Sequence, residues 1–167
     1  HSSVTPLEMA EQIQADFSQS IQKPRFHYYN QGRTEIIHYL ATQMLFDSIK
    51  KGAIEKVKEA LSKGANIQAL EYIREDFNYQ NIKFTPLHFA VYFNQPEIVQ
   101  LLLEQGASAE ALIETNNNAF PLMTAKQFAE WLLMNGQDRS AILDKFKLHD
   151  KTLISTVIEN VKLTPEQ

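Results

Sequence analysis

Two stretches of this chain, 45–66 and 87–108, can be laid over each other without a gap, 42 residues apart. A unit that recurs this way cannot bury its apolar face alone and must stack on another copy. In the overlay Gly52 falls on Asn94, Glu55 on Glu97, Val57 on Val99, Leu61 on Leu103 and Gly64-Ala65 on Gly106-Ala107. Each copy reads as two short helices joined by a tight turn. In the downstream copy Thr85 supplies a capping hydroxyl, Pro86 stands at the first helical position where its missing N–H is harmless, and Leu87, Ala90 and Val91 follow at helical spacing. A second helix opens at Pro96-Glu97, carries Ile98, Val99, Leu101, Leu102 and Leu103 as a broad apolar face, and stops at Gly106, where glycine tolerates a left-handed backbone.

The run Thr85-Pro86-Leu87-His88-Phe89-Ala90, followed by the leucine-rich helix and Gly106, resembles an ankyrin repeat almost position by position. The resemblance implies an all-α ankyrin-repeat solenoid of two to three helix–turn–helix units, with extra capping helices at both ends. It also implies a structural role for Thr85, Pro86, Leu87 and His88, the histidine tying one unit to the next through backbone hydrogen bonds, and for the turn glycines Gly52, Gly64 and Gly106. Ankyrin units repeat at roughly 33 residues, so the link between these two copies carries about nine extra residues. The upstream copy has Gln43-Met44-Leu45-Phe46 where Thr-Pro-Leu-His would stand, as expected of a first or divergent unit.

A third copy is placed at 122–148, with Phe120-Pro121-Leu122-Met123-Thr124-Ala125 at the Thr-Pro-Leu-His-x-Ala position and helices through Trp131 and Phe146. The alternative is an unrelated helical hairpin closing the stack. Three regions result: an N-terminal helical cap at 1–44, repeats at 45–148 with an extended finger at 67–84, and a C-terminal capping helix at 149–167. Within the first, Thr5-Pro6-Leu7-Glu8 is a capping box opening an amphipathic helix with Leu7, Ala10, Ile13, Phe17 and Ile21 in a stripe, and Asn30-Gln31-Gly32 reads as a turn. Within the last, Asp150 is the expected N-cap of a helix whose Leu153, Ile154, Val157, Ile158 and Val161 cover the open end.

Composition narrows the function. A net charge of −4 lacks the basic face that a general nucleic-acid binder needs. Charged residues interrupt every apolar run before it reaches membrane-spanning length, and the N-terminal helix has an acidic polar face, so membrane binding is not expected. The chain has no cysteine, which removes thiolate metal sites and fits a reducing cytosol. Histidines 27, 38, 88 and 149 show no metal-ligand spacing, and no glycine-rich phosphate loop or nucleophile elbow is present. Neither a cofactor, a metal nor catalysis is expected.

The expected activity is therefore protein–protein recognition by a monomer. Its contact residues are sought on the long finger at Tyr72, Phe77 and Tyr79, on the end of the central repeat's first helix at Tyr92, Phe93 and Gln95, and on the adjoining unit at Lys50 and Lys51. For the aromatics the alternative is packing into the core or between units; for the two lysines it is a solvated helix end. Twelve lysines against four arginines suit an AT-rich genome, and short divergent ankyrin proteins of that composition resemble host-directed effectors of intracellular bacteria, working in the cytoplasm or secreted into the host cytosol. The other role left open is the targeting domain of a larger enzyme whose catalytic part lies outside this chain.

Overall fold

The computed structural model describes residues 4–20, 27–74, 76 and 79–163, with side chains for 4–16, 32–74, 76 and 79–163. The chain forms two compact units, 1–67 and 68–167. Phe17, Ile21 and Phe77, named from the sequence, lie outside the described side chains.

In the first unit α1 (Pro6–Ser20) packs on α2 (His27–Lys51), and α2 packs on α3 (Ile54–Ser62). The capping box that opens α1 is formed: Thr5 N donates to Glu8 Oε2 at 2.8 Å, and Glu8 N donates to Thr5 Oγ1 at 3.2 Å. These bonds hold the Glu8 carboxyl below its ordinary range. On α2, Ala41, Leu45, Phe46 and Ile49 are buried at a spacing that makes one face, against Val57 and Ala60 of α3. Lys63 joins α3 to α1 by reaching Glu11 at 3.0 Å. The turn expected at Asn30-Gln31-Gly32 is absent, because those residues lie inside α2. A glycine inside a helix costs about 1 kcal/mol relative to alanine. Continuous helix from His27 into the buried face at 41–49 outweighs that cost.

The second unit opens with the finger, which is a small antiparallel sheet. Strand β1 (Glu71–Tyr72) pairs with β2 (Ile82–Phe84) in the register Glu71 with Phe84, and β2 pairs with β3 (Glu114–Thr115) in the register Ile82 with Thr115. Four helices follow: α4 (Pro86–Tyr92), α5 (Pro96–Glu104), α6 (Ala125–Met134) and α7 (Ser140–Leu163). Helix α4 packs on α5 and α6, and α7 packs on both α5 and α6. Two helical hairpins thus lie side by side, with Leu87, Phe89, Ile98, Leu102, Phe128, Leu132, Ile142 and Phe146 in their shared core.

The overlay of 45–66 on 87–108 holds at the level of the backbone. Gly52 and Asn94 both take a positive φ, 67° and 55°. The turns close with the same bonds shifted by 42 residues: Ala53 N to Ser48 O and Gln95 N to Ala90 O are both 2.9 Å, while Ala65 N to Ala60 O and Ala107 N to Leu102 O are 3.0 and 2.9 Å.

The third unit departs from expectation in register. Its N-cap is Thr124, with φ −70° and ψ 166°, the conformation that Thr85 adopts at −72° and 165°. Thr124-Ala125-Lys126-Gln127-Phe128-Ala129 is therefore the counterpart of Thr85 to Ala90, and Pro121-Leu122 lies ahead of the helix, with Leu122 exposed. The physical reason is the cap: Thr124 accepts from Gln127 N while the Gln127 side chain accepts from Thr124 N, which is worth about 1 kcal/mol, and Phe128-Ala129 then face the core.

The C-terminal cap is also corrected. Asp150 starts no helix; α7 runs from Ser140 to Leu163 without a proline or glycine to stop it, and Asp150 pairs with Lys126 at 3.5 Å. The sequence-derived stripe covers no core. Leu153, Ile154, Val157 and Ile158 are 48–60 % exposed.

Candidate partner-binding surface

Tyr79, at the tip of the finger, is buried at 6 % exposure and is the hub of an aromatic cluster. Its ring meets Phe84 and Tyr92 at 5.7 Å, Phe120 at 5.9 Å and Phe128 at 6.2 Å, all edge to face. Each such pair is worth about 0.5–1.5 kcal/mol beyond area burial, so this one ring fastens the finger to α4 and α6. Burial, and after it the Asp76 carboxylate, pushes the Tyr79 phenol up. The sequence placed Tyr79 among exposed contact residues. The structure puts it beneath them.

What remains half-exposed around this hub forms a ridge. Tyr92 ends α4, and its hydroxyl donates to Asp76 Oδ2 at 2.9 Å. Phe93 follows as the helix cap, its ring perpendicular to Tyr92 at 4.9 Å and turned toward Phe89 at 6.1 Å. Adjacent helical positions diverge by about 100°, so the two rings take different neighbours. On the other side of Tyr79, Phe120 meets Trp131 at 5.9 Å, and Trp131 stacks on Phe128. Tyr92, Phe93, Phe120 and Trp131 are all intermediate in exposure, whereas Phe84, Phe89 and Phe128 behind them are fully buried.

Two further features fix this ridge. Arg139, 8 % exposed, donates from Nε to Val91 O and from an Nη to Tyr92 O, both at 2.8 Å, and so satisfies the last carbonyls of α4. His88 is fully buried; its Nε2–H donates to Met123 O at 3.0 Å and its Nδ1 takes the Thr85 hydroxyl at 2.7 Å. Burial holds the imidazole at about 4, neutral at neutral pH. The bond to Met123 joins the second hairpin to the residue just before the cap of the third.

The remaining expected contacts are dispersed. Tyr72 is 37 % exposed on β1, with Lys83 Nζ 5.6 Å above its ring and Lys83 itself 3.3 Å from Glu114. Gln95 is half-buried as the residue before α5. Lys50 and Lys51 occupy the last turn of α2 in the first unit. Phe120, Trp131 and Arg139 were not singled out as site residues from the sequence. The first two carried a signal, large aromatics flanking a repeat start; Arg139 carried none. Among the described residues no group of three or more His, Cys, Asp or Glu is placed to hold a metal ion, and no helix is long and apolar enough to cross a membrane.

Helix–turn–helix units in a register kept by left-handed turns, a hairpin finger and a buried Thr-Pro-Leu-His corner define a stacked repeat protein. The family model described as ankyrin repeats (3 copies) matches residues 22–142, and the chain belongs to the ankyrin-repeat family. No curated protein matches it significantly. Ankyrin repeats are generally protein–protein interaction modules and typically non-catalytic.

Proposed function

We propose that this chain binds a partner protein through the ridge of Tyr92, Phe93, Phe120 and Trp131, with Tyr72, exposed on the finger, as a separate contact. The observation that carries the reading is the contrast within one cluster: four rings keep exposed surface while Phe84, Phe89 and Phe128 beneath them are fully buried. Aromatics held in place before contact lose little conformational entropy on binding and are the side chains most enriched among energetic hot spots. Gln95 belongs at the rim of this surface. Lys50 and Lys51 form a second, weaker candidate on the first unit.

The finer reading is a host-directed bacterial protein acting in the cytosol, supported by the excess of lysine over arginine. The alternative, a targeting domain attached to an enzyme, uses the same surface and is decided by the sequence of the full gene. Affinity capture with wild type and with Tyr92→Ala/Phe93→Ala tests the surface. A specific partner captured by the first and lost from the second, with both variants folded, is the expected outcome; equal capture by both would sink the choice of face.

A further inference from the structure

Apart from the ridge, we propose that the exposed half of α7 is a docking strip for a helix of a partner protein, one whose apolar seam is edged by aspartate or glutamate. Helix α7 is 24 residues long, whereas α5 and α6, on which it packs, have nine and ten. Ile142 and Phe146 in its first half are buried, but every side chain from 151 to 163 is exposed. Leu153, Ile154, Val157 and Ile158 stand there at helical spacing and share one face. Thr152, Ile154, Thr156, Val157, Ile158 and Val161 are β-branched, which weakens a helix that no core supports. A helix laid over the strip supplies the missing support.

Charge decides which helix fits. Lys151, Ile154, Ile158 and Lys162 follow one another at steps of three, four and four, so two ammonium groups bound one edge of the strip, about 16 Å apart. The neighbouring carboxylates do not answer them: Asp150 pairs with Lys126 at 3.5 Å and Asp144 with Lys147 at 3.7 Å. Glu159, about 200° round the helix from Val157, stands on the far side. Among the described residues Lys151 and Lys162 have no ion pair. Carboxylates on the flank of a partner helix meet both, as flanking charges do between paired helices.

A second copy of this chain fits worse. Laid antiparallel with Val157 on Val157, it brings Lys151 of one chain beside Lys162 of the other; laid parallel, like lysines meet. A lipid surface fits worse as well, because the face behind the strip carries Thr152, Ser155, Thr156 and Glu159 in place of the lysines and arginines of an interfacial helix.

The test uses fluorescently labelled helical peptides with one apolar seam. The first has glutamates eleven residues apart on its flank, the second glutamines there, the third lysines, and the fourth has the composition of the first in scrambled order. Anisotropy reports binding to the full chain. The glutamate peptide is expected to bind at least about tenfold tighter than the others, to weaken with salt, and to slow amide exchange across 151–163. Val157→Glu should cost at least about tenfold in that affinity and leave the fold intact, since Val157 is 59 % exposed. Lys151→Glu/Lys162→Glu should reverse the preference toward the lysine peptide. Lys56→Glu/Lys58→Glu, the same change of charge on α3, should leave it unchanged. Tyr92→Ala/Phe93→Ala should also leave it unchanged, so the strip and the ridge fail separately.

Equal binding of the glutamate, glutamine and lysine peptides, or of none, would overturn the proposal. So would an unaltered preference in Lys151→Glu/Lys162→Glu. Sedimentation showing that the chain pairs with itself and that Val157→Glu breaks the pair would assign the strip to a second copy and overturn it too. Binding to anionic vesicles that Val157→Glu abolishes would assign it to a membrane, with the same result.

Discussion

Protonating His88 in the folded protein puts a charge into a site with no exposed surface, and the cost can be worked from the structure. Its imidazole titrates at about 4 when folded and near 6.5 when unfolded, chiefly because burial disfavours the charged form. The unfolded chain therefore binds the extra proton first. Stability from this group is complete above about pH 6.5, falls as pH drops from there toward 4, and is fully lost below. With about 1.4 kcal/mol per pKa unit the whole loss is about 3 kcal/mol, of which about 2 kcal/mol is spent by pH 5, where most carboxylates are still ionised. That is a large share of a typical domain's 5–15 kcal/mol. His88→Gln keeps an N–H for Met123 O and does not titrate. Urea unfolding of both proteins at pH 7.5, 6 and 5 isolates the term, because the other four histidines are common to both. The variant should be less stable at pH 7.5, through a poorer fit to Thr85, yet should lose about 2 kcal/mol less on going to pH 5. Parallel pH profiles for the two would refute the argument that a neutral, buried imidazole joins the hairpins.

Arg139→Lys should behave nearly as badly as Arg139→Ala, costing about 2–4 kcal/mol in denaturant unfolding, because a point charge cannot serve both Val91 O and Tyr92 O as the guanidinium fork does; full rescue by lysine would contradict this. A Cβ at Gly64 would fall 2.5 Å from His38 Cδ2 at φ 88°, whereas Gly106, at φ 92°, has nothing within 4 Å. Both Gly→Ala changes should cost about 1 kcal/mol for the left-handed backbone, Gly64→Ala should cost more, and adding His38→Ala should remove the excess in thermal melts. On α7, Phe146→Ala should cost about 3–5 kcal/mol and Ile154→Ala less than about 0.5, since the first is buried and the second 60 % exposed; similar losses would mean that the stripe at 153–158 is covered after all.

The repeat plan was legible because its signals are local and steric. Thr85-Pro86 must begin a helix, Gly64 and Gly106 must end one, and the same bonds then recur 42 residues apart. The third unit was legible in kind and misplaced in register. Pro121-Leu122 matched the motif by residue type, but the backbone answered to the reciprocal cap of Thr124 and Gln127. Helix ends fixed by packing were harder still. Nothing in the composition of 140–163 says that only its first half meets a core.

The candidate surface was half legible. Tyr92 and Phe93 were found from their place at the end of a repeat helix. Tyr79 is sought outward because exposed aromatics on a protruding finger suit binding, and the structure takes the alternative, packing into the core: its ring touches Phe84, Tyr92, Phe120 and Phe128. Those contacts span up to 49 residues of chain, counting from Tyr79 to Phe128, and no local pattern encodes them. Arg139 likewise reaches carbonyls 47 and 48 residues away.

Hydrogen exchange of the free chain and of its complex with a captured partner addresses recognition by the ridge most directly. New protection is predicted in peptides covering 92–95, 116–122 and 131–135, with the amides of α5 unchanged. Protection confined to 97–105 or 151–163 would contradict it.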